Sequence, residues 1–204
     1  MQMLREPICE KLCSDVNHEA FSPQVPVDVE KIKLVMISEA LPKELNDYFY
    51  AGENASFFKT TQTAFEDAGY IFRSIAELSD TGIYLTTALK CSKQGYLVTA
   101  DTVKHCSYCL EQELDLFKNV KVIMCMGDVA IKSINYIYKR KFGEKVIPSG
   151  STYKIRNQEF LYRGIRFYPS YTQTGDSFNI EKSKRKMIAE DIRNAMQFVR
   201  REEA

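Results

Sequence analysis

Four short apolar runs rich in β-branched residues punctuate the chain: residues 32–37 (IKLVMI), 83–89 (IYLTTAL), 120–126 (VKVIMCM) and 165–168 (IRFY). Nearly continuous apolar runs of this length suit strands covered on both faces. Between them the apolar spacing changes to a helical period. Residues 56–68 open at Ser56, a favourable N-cap type, and close at Gly69. Residues 101–117 start from Thr99 or Asp101 and keep Val103, Cys106, Leu110, Leu114 and Phe117 on one side. Residues 128–139 follow Gly127 directly, and residues 181–201 align Met187, Ile188, Ile192, Met196 and Val199. Strands alternating with helices predict parallel strands joined by right-handed crossovers. The expectation is a three-layer α/β/α sandwich around a central four-stranded, mainly parallel sheet. Residues 146–167 depart from this rhythm and read as a short hairpin leading into the last core strand. With no repeat, low-complexity tract or linker, one domain spanning residues 1–204 is expected, as a monomer.

Composition narrows the class. The 204 residues are 45% hydrophobic and 27% charged, as in an ordinary globular domain with a real core. The net charge of +1 neither requires nor excludes nucleic acid, but its distribution is uneven. Acidic residues concentrate between Glu39 and Glu113. Lys139, Arg140, Lys141, Lys154, Arg156, Arg163 and Arg166 precede a K-S-K-R-K run at 182–186. That basic third could meet phosphates, although a solvated helix face gives the same pattern. The N-terminal segment lacks the apolar stretch of a secretory signal, and no run approaches the ~20 apolar residues of a membrane span. A cytoplasmic protein that does not enter membranes is therefore expected, and there clustered cysteines lean towards metal or redox use rather than disulfides.

In open parallel sheets chemistry gathers past the carboxyl ends of the strands. The first strand is followed by S38-E-A-L-P-K-E-L-N-D-Y-F-Y-A-G52, the second by T86-T-A-L-K-C91, the third by M126-G-D128 and the fourth by Y168-P-S-Y-T-Q-T-G175. Three of the six cysteines, Cys91, Cys106 and Cys109, fall within one stretch of twenty residues. They are either buried thiols or half of a metal site.

This order of parts resembles the uracil-DNA glycosylase superfamily, and most closely its iron–sulfur-containing bacterial and archaeal branch. The elements that carry the likeness are Cys9 and Cys13, Ser38-Glu39-Ala40-Leu41-Pro42, Tyr50-Ala51-Gly52, Thr87-Ala88-Leu89-Lys90-Cys91, Cys106, Met126-Gly127 and Tyr168-Pro169-Ser170-Tyr171. No single motif suffices; their colinear order from about residue 9 to the C-terminal helix does.

The resemblance implies a [4Fe–4S] cluster held by Cys9, Cys13, Cys91 and Cys106, with Cys109 as the competing fourth ligand. The first pair is C-x3-C where the branch has C-x2-C. Cys125, inside a core strand, reads as packing. The resemblance also implies DNA as partner, bound with one base flipped out of the stack. Tyr50 would stack on that base, Ala40 would border it, and Thr87 stands where the family has a base-reading Asn. Tyr168 replaces a His that supports charge on the departing base, and Glu39 matches the family's Glu. Asp47 lies in the segment that supplies a water-positioning carboxylate. Ser170, Tyr171, Arg163, Arg166, Lys184 and Arg185 would meet the DNA backbone.

A hydroxyl at 87 offers fewer contacts than an amide, and Pro42 removes a main-chain donor. The expectation is therefore slow hydrolysis of the glycosidic bond of uracil or another deaminated base. The alternatives are a superfamily member that binds nucleic acid or nucleotide without excision, and an unrelated flavodoxin-like domain with incidental cysteines.

Overall fold

A computed structural model of the chain describes residues 2–3, 9, 11–21, 23, 25–175 and 177–202. The four apolar runs form the middle of a six-stranded sheet. In chain order its strands are β2 (Val16–Phe21), β4 (Leu34–Leu41), β5 (Ile83–Lys93), β6 (Val122–Met126), β7 (Phe160–Tyr162) and β8 (Ile165–Ser170). The spatial order is β2-β5-β4-β6-β8-β7. β5, β4, β6 and β8 run parallel, and β2 and β7 close the two edges antiparallel. Apart from the sheet, β1 (Gln2–Met3) pairs with β3 (Pro26–Val27).

Side chains alternate along each strand, so the sheet has two apolar faces. Val35, Ile37, Ile123, Cys125 and Phe167 pack towards α3 (Ala100–Leu114) and α4 (Asp128–Phe142). Leu34, Met36, Leu85, Met124 and Met126 pack towards α1 (Ser56–Asp67), α2 (Ile75–Asp80) and α7 (Lys182–Glu202). Two short helices, α5 (Thr152–Ile155) and α6 (Ser177–Ile180), and a 3-10 turn at Leu45–Asp47 are the remaining elements among the described residues. Each fully buried Leu, Ile or Phe contributes roughly 1.5–3 kcal/mol over an exposed one, so covering both faces is what makes continuous apolar strands stable. The three-layer α/β/α architecture is as the sequence predicts. Among the described residues no helix is long and apolar enough to cross a membrane.

The differences have local causes. β4 and β5 outrun their apolar runs because they stay paired past the core, from Ala40↔Leu89 through an irregularity to Leu41↔Ser92. The edge strand β2 (VNHEAF) has no apolar run to announce it and exists by pairing with the extended end of β5. Ser56 is inside α1 rather than capping it: Ala55 holds the cap position, and Asp47 Oδ1 accepts from Ser56 N at 3.4 Å. Residues 152–155 form a helical turn instead of a hairpin strand, and only β7–β8 is a hairpin.

Two buried ion pairs tie the layers. The Arg156 guanidinium meets both oxygens of Asp191 on α7, at 2.7 and 3.2 Å, and Ser170 Oγ on β8 donates to Asp191 Oδ2 at 2.6 Å. Burial pushes the Asp191 carboxyl up to about 6, opposed by the Arg156 and Ser170 hydrogen bonds. Lys90 Nζ donates to Glu113 Oε2 at 2.5 Å and Thr86 Oγ1 at 2.7 Å, while Tyr84 donates to Glu113 Oε1 at 2.6 Å.

Candidate active site at the strand ends

Glu39 leaves β4 on the α4 side of the sheet. Lys93, at the end of β5, reaches it with Nζ–Oε2 at 3.0 Å, and both side chains are about three-quarters covered, at 26% and 27% exposure. Its other oxygen rests on Gly127, where a Cβ would stand 2.8 Å from Oε1. Gly127 links β6 to α4 at φ +104°, a conformation that favours glycine, and its N–H donates to Ser170 O at 2.9 Å. Three strand ends thus converge on one carboxylate that still has access to solvent.

Ser38, one residue earlier, faces the opposite side. It is fully buried, and its hydroxyl donates to Gln173 Oε1 at 3.1 Å. Gln173 belongs to the segment after β8 and is fully buried too. Thr87 is the register partner of Ser38, and its hydroxyl donates to Leu89 O at 2.8 Å. Ala40 is buried beside Leu89.

The other expected residues are not gathered here. Tyr50 OH accepts from Leu85 N at 3.0 Å and donates to Leu85 O at 3.1 Å, which spends its polar end on an early part of β5. Burial, then the neighbouring Tyr48, raises its pKa well above the usual phenol value. Tyr168 stands two residues before the end of β8. Its hydroxyl donates to Asn194 O on α7 at 3.3 Å, and the Arg166 guanidinium covers its ring at 4.9 Å. The structure therefore does not bring Tyr168 together with Glu39; they belong to opposite faces of the sheet.

Arg163 sits on the β7–β8 turn at φ +52°, stacked on Phe142 at 4.3 Å, so it and Arg166 lie at the start of β8 and not at its carboxyl end. Ser170 is buried with its hydroxyl given to Asp191, and Asp47 holds the start of α1. Tyr171 is half-buried under Lys184, whose Nζ lies 5.5 Å from the ring centroid and 2.5 Å from Glu181 Oε2. Arg185 grips Asp67 with two nitrogens. Lys182, Lys186 and Arg193 join Arg185, Asp67 and Glu190 around an open cleft beside α7.

The cysteines draw near one another from three elements. Cys91 is on β5, Cys106 and Cys109 are on α3, and Cys9 and Cys13 are in the N-terminal segment. Burial pushes the Cys91 thiol up to about 12, and negative charge on Cys106, Cys9 or Cys13 would raise it further. Cys106 is instead lowered to about 7 by the Cys109 thiol, helped by the Lys90 N–H 3.1 Å from its Sγ and by the Lys90 ammonium. Five thiols from three elements suit an iron–sulfur group in kind. Among the described residues no group of three or more His, Cys, Asp or Glu side chains stands where it could hold a metal ion. Cys125 is fully buried in β6, and burial alone lifts its thiol above the usual range.

A sheet of this order with a carboxylate at its central strand end agrees with the comparison by family. The profile of the uracil DNA glycosylase superfamily matches residues 28–190, well over half of the chain. The chain belongs to the uracil DNA glycosylase superfamily. A comparison with curated proteins returned no match. The superfamily match begins after Cys9 and Cys13, so membership of the iron–sulfur branch is a separate matter. Glu39 is among the site residues expected from sequence; Lys93, which pairs with it, Gln173 and the buried Lys90–Glu113 pair are not. Lys90 precedes Cys91 within the motif already singled out, and Lys93 stands two residues beyond its end. Gln173 carries no local signal.

Proposed function

We propose that this superfamily member is a DNA glycosylase that hydrolyses, slowly, the N-glycosidic bond of a deaminated base. The observation that carries this reading is the Glu39 carboxylate at the end of the central strand, held by Lys93 and seated on Gly127. Cleavage of a sugar–base bond leaves positive charge on the sugar and needs a water on the face opposite the leaving base. A fixed carboxylate can stabilise the first and orient the second. Lys93 occupies one oxygen and so fixes the plane of the group, leaving Oε1 for water. Gly127 supplies the closeness, since any side chain there would expel the carboxylate.

DNA would be held by the basic cleft of Lys182, Lys186 and Arg193 beside α7. Each phosphate neutralised releases counterions, so affinity should fall steeply between low and moderate salt.

We further propose that the cysteines hold a [4Fe–4S] cluster, with Cys9, Cys13, Cys91 and Cys106 as ligands and Cys109 close to Cys106. Such a group, when bound, supplies a structural tie between the N-terminal segment and the sheet.

The test is release of free base from oligonucleotides carrying uracil, hypoxanthine or xanthine. Slow release from at least one supports the reading. DNA binding without release from any of them would leave a binding protein in its place.

A further inference from the structure

Gln173 is fully buried, yet its amide is half used. Oε1 accepts from Ser38 Oγ at 3.1 Å, and Nε2 has no hydrogen-bond partner among the described residues. An unsatisfied buried N–H is rare in folded chains and costs about 1–3 kcal/mol. The oxygen has a structural duty, since it accepts from the buried Ser38 hydroxyl, but nothing among the described residues uses the nitrogen. The amide is also anchored from a chemically informative place. Ser38 lies one residue before Glu39, and its register partner Thr87 has given its hydroxyl to Leu89 O. On this face of the strand ends, Gln173 Nε2 is therefore a donor already desolvated and fixed through its own oxygen.

We infer that Gln173 is the residue that reads the substrate base, by donating from Nε2 to a ring carbonyl. This deepens the glycosylase reading and rests on it. Deamination replaces an exocyclic amine with a carbonyl in every case: cytosine gives uracil, adenine gives hypoxanthine, guanine gives xanthine. One fixed N–H at that edge accepts uracil O4 or hypoxanthine O6 and opposes the amines of cytosine and adenine, whereas guanine and xanthine, which share O6 and differ at C2, are not told apart by it. A single shared contact also accounts for breadth across uracil and hypoxanthine. The reverse amide orientation would present Oε1 and favour amines.

The test is binding of single-stranded oligonucleotides carrying one 2′-fluoro-2′-deoxyuridine or one 2′-fluoro-2′-deoxycytidine, in which the sugar fluorine suppresses cleavage. Wild type should prefer the uracil probe by about tenfold or more, the worth of one desolvated hydrogen bond. Gln173→Leu should bring the two probes close to parity; it removes an unpaired donor but also the acceptor of the buried Ser38 hydroxyl, so its folding is checked by its thermal midpoint beside wild type. If Gln173→Leu does not fold, Ser38→Ala, which frees the amide from its anchor, should still reduce the preference. No preference in wild type, a preference for cytosine, or a preference unchanged in a folded variant would each overturn the assignment. Preference lost in the variant without base release by wild type would keep the assignment and overturn the glycosylase reading. Base release whose selectivity Gln173→Leu does not alter would do the reverse.

Discussion

Glu39 and Gly127 touch across the carboxyl edge of the sheet, so closely that an added Cβ would stand 2.8 Å from Oε1 and 2.9 Å from Cγ of the glutamate. The backbone at Gly127 has φ +104°, which an L side chain adopts only with strain. Gly127→Ala should therefore lower stability by about 1–3 kcal/mol and displace the carboxylate. Thermal unfolding checks the first effect. A loss of base release larger than the loss of folded protein checks the second.

Lys90 and Glu113 form a pair whose side chains are 1% and 11% exposed, with Thr86 and Tyr84 completing the hydrogen bonds. Removing one member leaves a buried charge without its counterion, typically at a cost of ~3–5 kcal/mol. Lys90→Met should show a loss of that size in denaturant unfolding, and Lys90→Met with Glu113→Gln should recover part of it. Additive losses in the double variant would mean that the pair is not coupled.

Asp15 ties the N-terminal segment to α3. Its carboxylate accepts from Thr99 N at 2.7 Å and Thr102 Oγ1 at 2.5 Å, and these bonds outweigh burial to hold its pKa below the usual value. A carboxyl with a lowered folded-state pKa adds stability above its unfolded value of about 4. That stability is lost as pH falls through the folded value. Asp15→Asn should therefore weaken the fold at pH 7 and make progressively less difference on acidification. An equal difference at both ends of the titration would rule out the ionised carboxylate as the cause.

If the cluster is present, protein prepared without oxygen should be coloured by iron–thiolate charge transfer and contain iron and sulfide. Cys91→Ser should bleach it and lower its thermal midpoint, whereas Cys125→Ala should keep the colour because that thiol is enclosed in β6. A colourless, iron-free and fully folded wild type would remove the cluster from the account.

Much of the fold was legible because apolar runs and helical periods are local. The sandwich and the four parallel strands follow from them, whereas Glu39, expected just after the apolar run, lies inside β4 near its carboxyl end. What the chain concealed is tertiary. β8 runs two residues beyond the apolar IRFY, so Tyr168, which a motif reading puts at the strand end, points instead to α7. Arg163 and Arg166 read as phosphate contacts by charge alone, yet chain direction sets them at the start of that strand. Gln173 looks like an ordinary polar loop residue in TQTG; only its burial against Ser38 gives it meaning.

The most direct measurement of the central claim is the single-turnover rate of free-base release from uracil-, hypoxanthine- and xanthine-containing DNA by wild type and Glu39→Gln. A positioned charge of this kind is typically worth ~10²–10⁴-fold. The account predicts slow release from more than one of these substrates and a fall of that order in Glu39→Gln, with DNA affinity retained. Equal rates for the two proteins, or no base released by wild type from any of the three, would contradict it.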